Sequence, residues 1–102
     1  MNKIYFTITG THLFYGPGVL EKGMEITLVK NPNNEHDTET IEIKVDGLDT
    51  IGYVANSVYT RKGTSYSAGR LYDKISNYAK AKIEYVLDNY ALGCLDLPLE
   101  ND

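Results

Sequence analysis

Ile4, Phe6 and Ile8 alternate with Tyr5, Thr7 and Thr9 at the start of the chain. A period of two sends successive side chains to opposite faces, so these residues predict a strand. Gly10 interrupts it, and Thr11-His12-Leu13-Phe14-Tyr15 leads into the breaker Gly16-Pro17-Gly18. A second strand is predicted over Met24–Lys30, with Met24, Ile26 and Leu28 on one face. After a polar stretch at 31–39, Thr40–Asp46 alternates most cleanly of all. Ile41, Ile43 and Val45 point one way, and Glu42 and Lys44 point to solvent. Asp46-Gly47 is a turn dipeptide, and Thr50–Val54 is a further short strand.

The period then changes. Ala68, Leu71, Tyr72 and Ile75 fit an i, i+3, i+4, i+7 stripe, which predicts a helix near 67–76. Val58 and Tyr59 suit a short helical turn capped by Asn56 or Ser57. Alternation returns over Lys80–Leu87, Asp88-Asn89 supplies a turn, and Ala91–Leu97 forms a last strand that ends at Pro98. About six short strands, with one or two helices before the last two, predict a mainly β fold, a small barrel or sandwich.

At 102 residues, the length predicts one domain, over 1–99, followed by a flexible acidic tail, Glu100-Asn101-Asp102. The hydrophobic share of 42% and charged share of 24% are those of an ordinary globular domain. No apolar run is long enough to span a membrane, and Met1-Asn2-Lys3-Ile4 lacks the apolar core of a signal peptide. The single cysteine, Cys94, has no internal disulfide partner and reads as a buried thiol. These features point to the cytoplasm. Ten basic against 14 acidic residues give a net charge of −4, which works against a broad phosphate-tracking surface. A small site gripping one strand end remains compatible with it, because local field governs there.

The segment Asn31-Pro32-Asn33-Asn34-Glu35-His36-Asp37 carries the most chemistry. Asn, Asp and Pro are turn formers, so it reads either as a set of turns or as a binding surface. Asn33 and Asn34 can bond their own backbone and fix the loop, as Asx turns do. Asp37 can accept from a ligand hydroxyl, and His36 can stack or donate to a phosphate. His12, His36 and Asp37 are too few for a metal centre, and no nucleophile elbow, dinucleotide fingerprint or phosphate-binding lysine loop is present. No enzyme, cofactor or metal is therefore expected. Of the nine tyrosines, most are expected half-buried on sheet faces. Phe14, Tyr15 and Tyr53 lie close to glycines near strand ends, where exposed rings stack nucleobases in single-strand binders.

Three segments together resemble the HIRAN domain family. Gly10-Thr11-His12-Leu13-Phe14-Tyr15-Gly16 is similar to its first motif. Leu28–Asp37 followed by Ile41–Val45 is similar to its central motif, and Ile51-Gly52-Tyr53-Val54 to its third. The resemblance covers roughly residues 4–90. It implies a modified OB-like barrel with helices packed at one side, a domain found fused to translocases and ubiquitin ligases of replication-fork repair and also alone in bacteria and phages. In the fork-remodelling members it captures the 3′ end of single-stranded DNA: an aspartate bonds the terminal hydroxyl and aromatic rings stack the last bases.

Carried over, the resemblance makes Asp37 the hydroxyl acceptor and Lys30 a phosphate contact. His36 stands for a stacking tyrosine, His12 for an arginine, Leu13 for an aromatic residue and Asn56 for a lysine, while Tyr53 keeps a polar ring. Each stacking platform lost costs about 1–3 kcal/mol per base. Phe14 and Tyr15, one register along, are candidates to replace Leu13. The resemblance thus implies a DNA-end cleft built from segments 12–16, 30–37 and 53–56, with Asn33 and Asn34 shaping it, and a helicase or nuclease as protein partner. A protein-interaction adaptor on the same fold is the rival expectation. Arg61, Lys62 and Arg70 in the stretch 57–70 either sit in a solvated loop or fold over the cleft to supply phosphate contacts.

Overall fold

The computed structural model describes residues 2–35, 37–88 and 90–97. His36 and the acidic end Glu100–Asp102 lie outside the described residues. Six strands form the fold: β1 (Asn2–Thr9), β2 (Glu25–Asn31), β3 (Thr40–Val45), β4 (Asp49–Val54), β5 (Tyr78–Val86) and β6 (Ala91–Leu97). They close an antiparallel barrel in the order β1-β4-β3-β2-β5-β6. This is the small OB-like barrel expected, with all six strands where the alternation puts them. Bulges between Ile43 and Lys44 and between Ile83 and Tyr85 shift the register, and such bulges add the bend that closure of a small barrel requires.

The inward-facing residues form one core. Phe6, Ile26, Leu28, Ile41, Ile43, Ile51 and Ile83 are all at or below 1% exposure. Each such side chain contributes roughly 1.5–3 kcal/mol on burial. Phe6 lies against the backbone of Gly93, its register partner on β6, and fills the space a larger residue there would need. Cys94 is a buried free thiol, as expected.

The one α-helix among the described residues, α1 (Ala68–Tyr72), is shorter than the expected 67–76. Ser67 caps it, its hydroxyl accepting from the Arg70 N–H at 3.2 Å. The predicted stripe does face the core: Ala68 and Leu71 are buried, and Tyr72 and Ile75 pack beside them. The helix stops because the backbone tightens. Lys74 N–H bonds Leu71 O, three residues back, and by Asn77 the chain is already receiving the Lys30 N–H on its way into β5. The stripe therefore outlasts the helix. A turn does form at 57–61, and Ser57, not Asn56, caps it: its hydroxyl accepts from Tyr59 N–H and its carbonyl from Thr60 and Arg61 N–H. Two single 3-10 turns, Thr11–Leu13 and Pro17–Val19, occupy the segment after β1.

The barrel has a short seam. β1 pairs with β4 through only Ile8↔Val54 and Thr9↔Tyr53, whereas β1 pairs with β6 along seven positions. Segment 57–66 fills the gap. Tyr66 N–H donates to Tyr5 O at 2.7 Å, and Phe6 bridges Tyr66. Thr7, fully buried, completes a closed ring. Its hydroxyl accepts from Lys62 N–H at 3.0 Å and lies 2.8 Å from the Ser65 hydroxyl, whose own proton goes to Lys62 O at 2.7 Å. With the serine proton committed, Thr7 is the donor between the two hydroxyls, and every polar group in the ring is satisfied.

Candidate functional site

The loop after β2 is fixed by its own side chains. Asn31 Oδ1 accepts from Asn33 N–H at 3.3 Å, Asn34 Oδ1 from Asp37 N–H at 3.2 Å, and Asp37 Oδ1 from Glu39 N–H at 2.8 Å. These are the Asx-type bonds the composition suggests. The loop ends where Thr40 enters β3, its hydroxyl donating to Asp37 O at 2.7 Å.

Asp37 is half-buried, and its second oxygen, Oδ2, accepts from Asn56 Nδ2 at 2.8 Å. The other end of the same amide, Asn56 Oδ1, accepts the Gly69 N–H at 2.8 Å. One side chain thus ties the carboxylate to the first turn of α1. A carboxylate offers about four lone-pair positions, and the described residues fill two of those on Asp37.

Asp37 opens onto a groove of about 420 Å³ lined by Leu13, Asn34, Asp37, Thr40, Tyr53, Val54, Asn56, Ser57 and Thr60. Five of the expected residues, Leu13, Asn34, Asp37, Tyr53 and Asn56, are therefore brought to one place. The pairing of Thr9 with Tyr53 sets this up. Thr9 O passes so close to Gly52 that a Cβ there would lie 2.9 Å from it. Gly10 then turns at φ +75°, directly beneath the Tyr53 ring. A glycine is required at both positions, one for close approach and one for the left-handed backbone. The turn that follows presents Leu13, 63% exposed, at the rim, while Phe14 leans on Tyr53 with ring centroids 5.6 Å apart and planes tilted by 58°.

The other expected residues lie elsewhere. Tyr15 and Asn33 are exposed and do not line the groove. His12 lines an adjoining cavity of about 330 Å³ with Tyr59, Thr60, Lys62 and Tyr90. Lys30 shares the inward parity of Ile26 and Leu28, pairs with buried Ile41, and ends with its ammonium 4.5 Å from the Tyr72 ring centroid. Arg61 bonds the carbonyls of Gly63 and Ser65 in its own loop, and Arg70 stacks 3.9 Å from the Tyr66 ring centroid. Both guanidiniums are thus engaged away from Asp37. Thr40, Ser57 and Thr60 join the groove without any sequence signal beyond their nearness to the motifs, while Val54 joins it from within the predicted segment 53–56.

One feature of the outer surface differs from expectation. Glu42 is largely covered, not simply solvent-facing, and accepts from Asn31 Nδ2 at 2.7 Å and from the Thr50 hydroxyl at 2.9 Å. Among the tyrosines, Tyr15, Tyr59, Tyr78 and Tyr85 are exposed, and the other five are half-buried, as expected for most. A larger cavity, about 600 Å³, lies across β1, β2, β5 and β6, where Lys3, Lys80 and Lys82 face Glu25, Glu84 and Asp96. None of the expected residues is in it.

Among the described residues no group of three or more His, Cys, Asp or Glu side chains gathers as a metal site would need, and no helix is long and apolar enough to cross a membrane. The described lining of the Asp37 groove carries one carboxylate and no cation, together with amide and hydroxyl groups and the side chains of Leu13, Tyr53 and Val54.

Neither a curated protein nor a solved structure matches the chain. The family model of the HIRAN domain matches it over residues 1–94 of 102. HIRAN domains are generally nucleic-acid-binding modules. With the barrel, the glycine-supported Tyr53 and the Asn-rich loop all in place, the chain belongs to the HIRAN domain family.

Proposed function

We propose that this domain binds the 3′ end of single-stranded DNA in the Asp37 groove, without catalytic turnover, in the service of repair or replication. The observation that carries this is the charge of the groove: one half-buried carboxylate and no cation among the described lining residues. Such a site accepts a hydrogen bond from a terminal hydroxyl and repels a terminal phosphate. Leu13 and Tyr53 offer apolar surface for the last sugar and base, and Phe14 holds the Tyr53 ring in place. A helicase or nuclease acting on the same strand end is the protein partner this reading suggests.

The test is fluorescence anisotropy with 5′-labelled oligonucleotides ending in a 3′-hydroxyl or a 3′-phosphate. The hydroxyl form should bind at least tenfold tighter, and Asp37→Ala should erase the difference. Equal binding of both forms by the unmodified chain would sink end recognition. Absence of binding at low salt would favour the adaptor reading, for which the exposed apolar side chains Leu13, Val58 and Tyr59 are the supporting observation.

A further inference from the structure

Strands β5 and β6 pair from Lys82↔Cys94 to Val86↔Ala91, and on the other side of Lys82 they part. The cavity of about 600 Å³ lies in this fork. Ala81 and Leu95 are buried, yet both line it beside Lys80, Lys82 and Cys94. The cavity therefore runs between the two strands, not merely over the sheet. The backbone of the fork is open. Ile83 N–H donates to Met24 O at 2.9 Å, and Asn77 O accepts from Lys30 N–H at 3.0 Å. The odd-numbered residues from Asn77 to Ile83 thus turn their amide and carbonyl groups toward β2. Successive residues of a strand alternate in that direction, so Lys80 and Lys82 turn theirs toward β6. Lys82 meets Cys94 there, and the same alternation would set Lys80 against Asp96 next. No pairing joins those two: among the described residues their backbone N–H and C=O groups have no partner across the fork.

We propose that the fork binds an extended peptide segment of another protein, inserted as a strand between β5 and β6, with apolar side chains inward and charged side chains of both signs outward. The cavity shares no residue with the Asp37 groove, so the inference is independent of the strand-end reading. Open main-chain donors and acceptors on two facing strands are matched by a third polypeptide backbone, in which each residue offers both. β5 and β6 are antiparallel, so the incoming strand runs parallel to one and antiparallel to the other. A folded second copy is too thick for a cleft walled by a strand on each side, whereas a lone segment is one strand wide. Alternation sends its side chains by turns toward Ala81 and Leu95 and out toward the rim. The rim carries Lys3, Lys80 and Lys82 against Glu25, Glu84 and Asp96, and none of the six makes an ion pair among the described residues. Charges beside an open edge deter chance pairing with apolar strands, and a segment bearing both signs answers them.

The experiment titrates the full chain, labelled with nitrogen-15, with a short acetylated and amidated peptide in which valine alternates with glutamate and lysine in turn. The amide signals of Lys80 and Asp96 should shift and their hydrogen exchange should slow, while those of Asn34 and Tyr53 in the Asp37 groove stay in place. An inserted strand bonds on both sides. N-methylation of either of two consecutive central residues should therefore weaken binding about tenfold, the loss of one hydrogen bond. Peptides with all charges glutamate or all lysine should bind about threefold more weakly than the mixed one. Every change is made in the peptide, so the folding of the domain is not at issue. The proposal is overturned if no binding is seen at about 1 mM peptide. It is overturned equally if only one of the two methylations matters, because pairing is then one-sided, or if the single-sign peptides bind as well as the mixed one. An oligothymidylate that shifts the Lys80 and Asp96 amides would assign the fork to nucleic acid and overturn it too.

Discussion

The Asn56 amide holds Asp37 Oδ2 with its nitrogen and the Gly69 N–H with its oxygen, each at 2.8 Å. This bridge makes the orientation of the acceptor carboxylate depend on α1. Asn56→Asp separates its two halves. An aspartate can still accept from Gly69 but sets a second carboxylate against Asp37. We expect the 3′-hydroxyl preference to fall by tenfold or more, while stability drops by only about 1 kcal/mol. Anisotropy and thermal unfolding on the same preparation check both. An unchanged preference would show that Asp37 needs no such support.

The ring formed by Thr7, Ser65 and Lys62 is the fastening of the seam. Thr7→Val keeps the shape of the side chain and leaves the Lys62 N–H without its partner. That should cost about 1–3 kcal/mol and loosen segment 57–66. Hydrogen exchange at the Lys62 amide should quicken, and trypsin should cut at Arg61 or Lys62 sooner than in the unaltered chain.

Phe6 occupies the space a side chain on Gly93 would take, since a Cβ there would overlap the Cζ and Cε2 atoms of its ring. Gly93→Ala must displace a fully buried aromatic residue. We expect a loss of about 1–3 kcal/mol, typical of overpacking. Denaturant unfolding measures it. A double variant, Gly93→Ala with Phe6→Leu, should recover part of the loss if the clash is its cause.

Burial pushes the Cys94 thiol up from its ordinary value, with Lys3 only partly opposing it. A raised pKa thins the thiolate at any given pH, and the thiolate is the reactive form. Labelling by a thiol reagent at pH 8 should therefore be much slower in the folded chain than in denaturant. Its rate should still be rising above about pH 8.5, the ordinary cysteine value.

The strands were legible because an alternation of two states its own face assignment. Lys30 shows how far that reaches. Its parity with Met24, Ile26 and Leu28 already places it on the inward side of β2, and its packing on Tyr72 follows from that position at the barrel's end. The helix was legible as a stripe but not in length. Tyr72 and Ile75 stay against the core whether or not the backbone between them is helical. The seam was not legible. Thr7 and Ser65 are 58 residues apart, and nothing in either neighbourhood announces the pairing. Within the site, the motifs brought Leu13, Asn34, Asp37, Tyr53 and Asn56 together. The role of Asn56 as a bridge, by contrast, depends on where α1 begins.

Closure of the barrel by β1 and β6 places Asn2 opposite Leu97 in the register. Adjacent strands lie about 4.8 Å apart, so a chain entering this barrel leaves it again at almost the same point. A host protein can therefore carry the domain within a surface loop as readily as at a terminus, since almost no separation has to be bridged between the two junctions. That geometry gives the fold portability: a nucleic-acid-binding module can be set beside another domain without redesign of either.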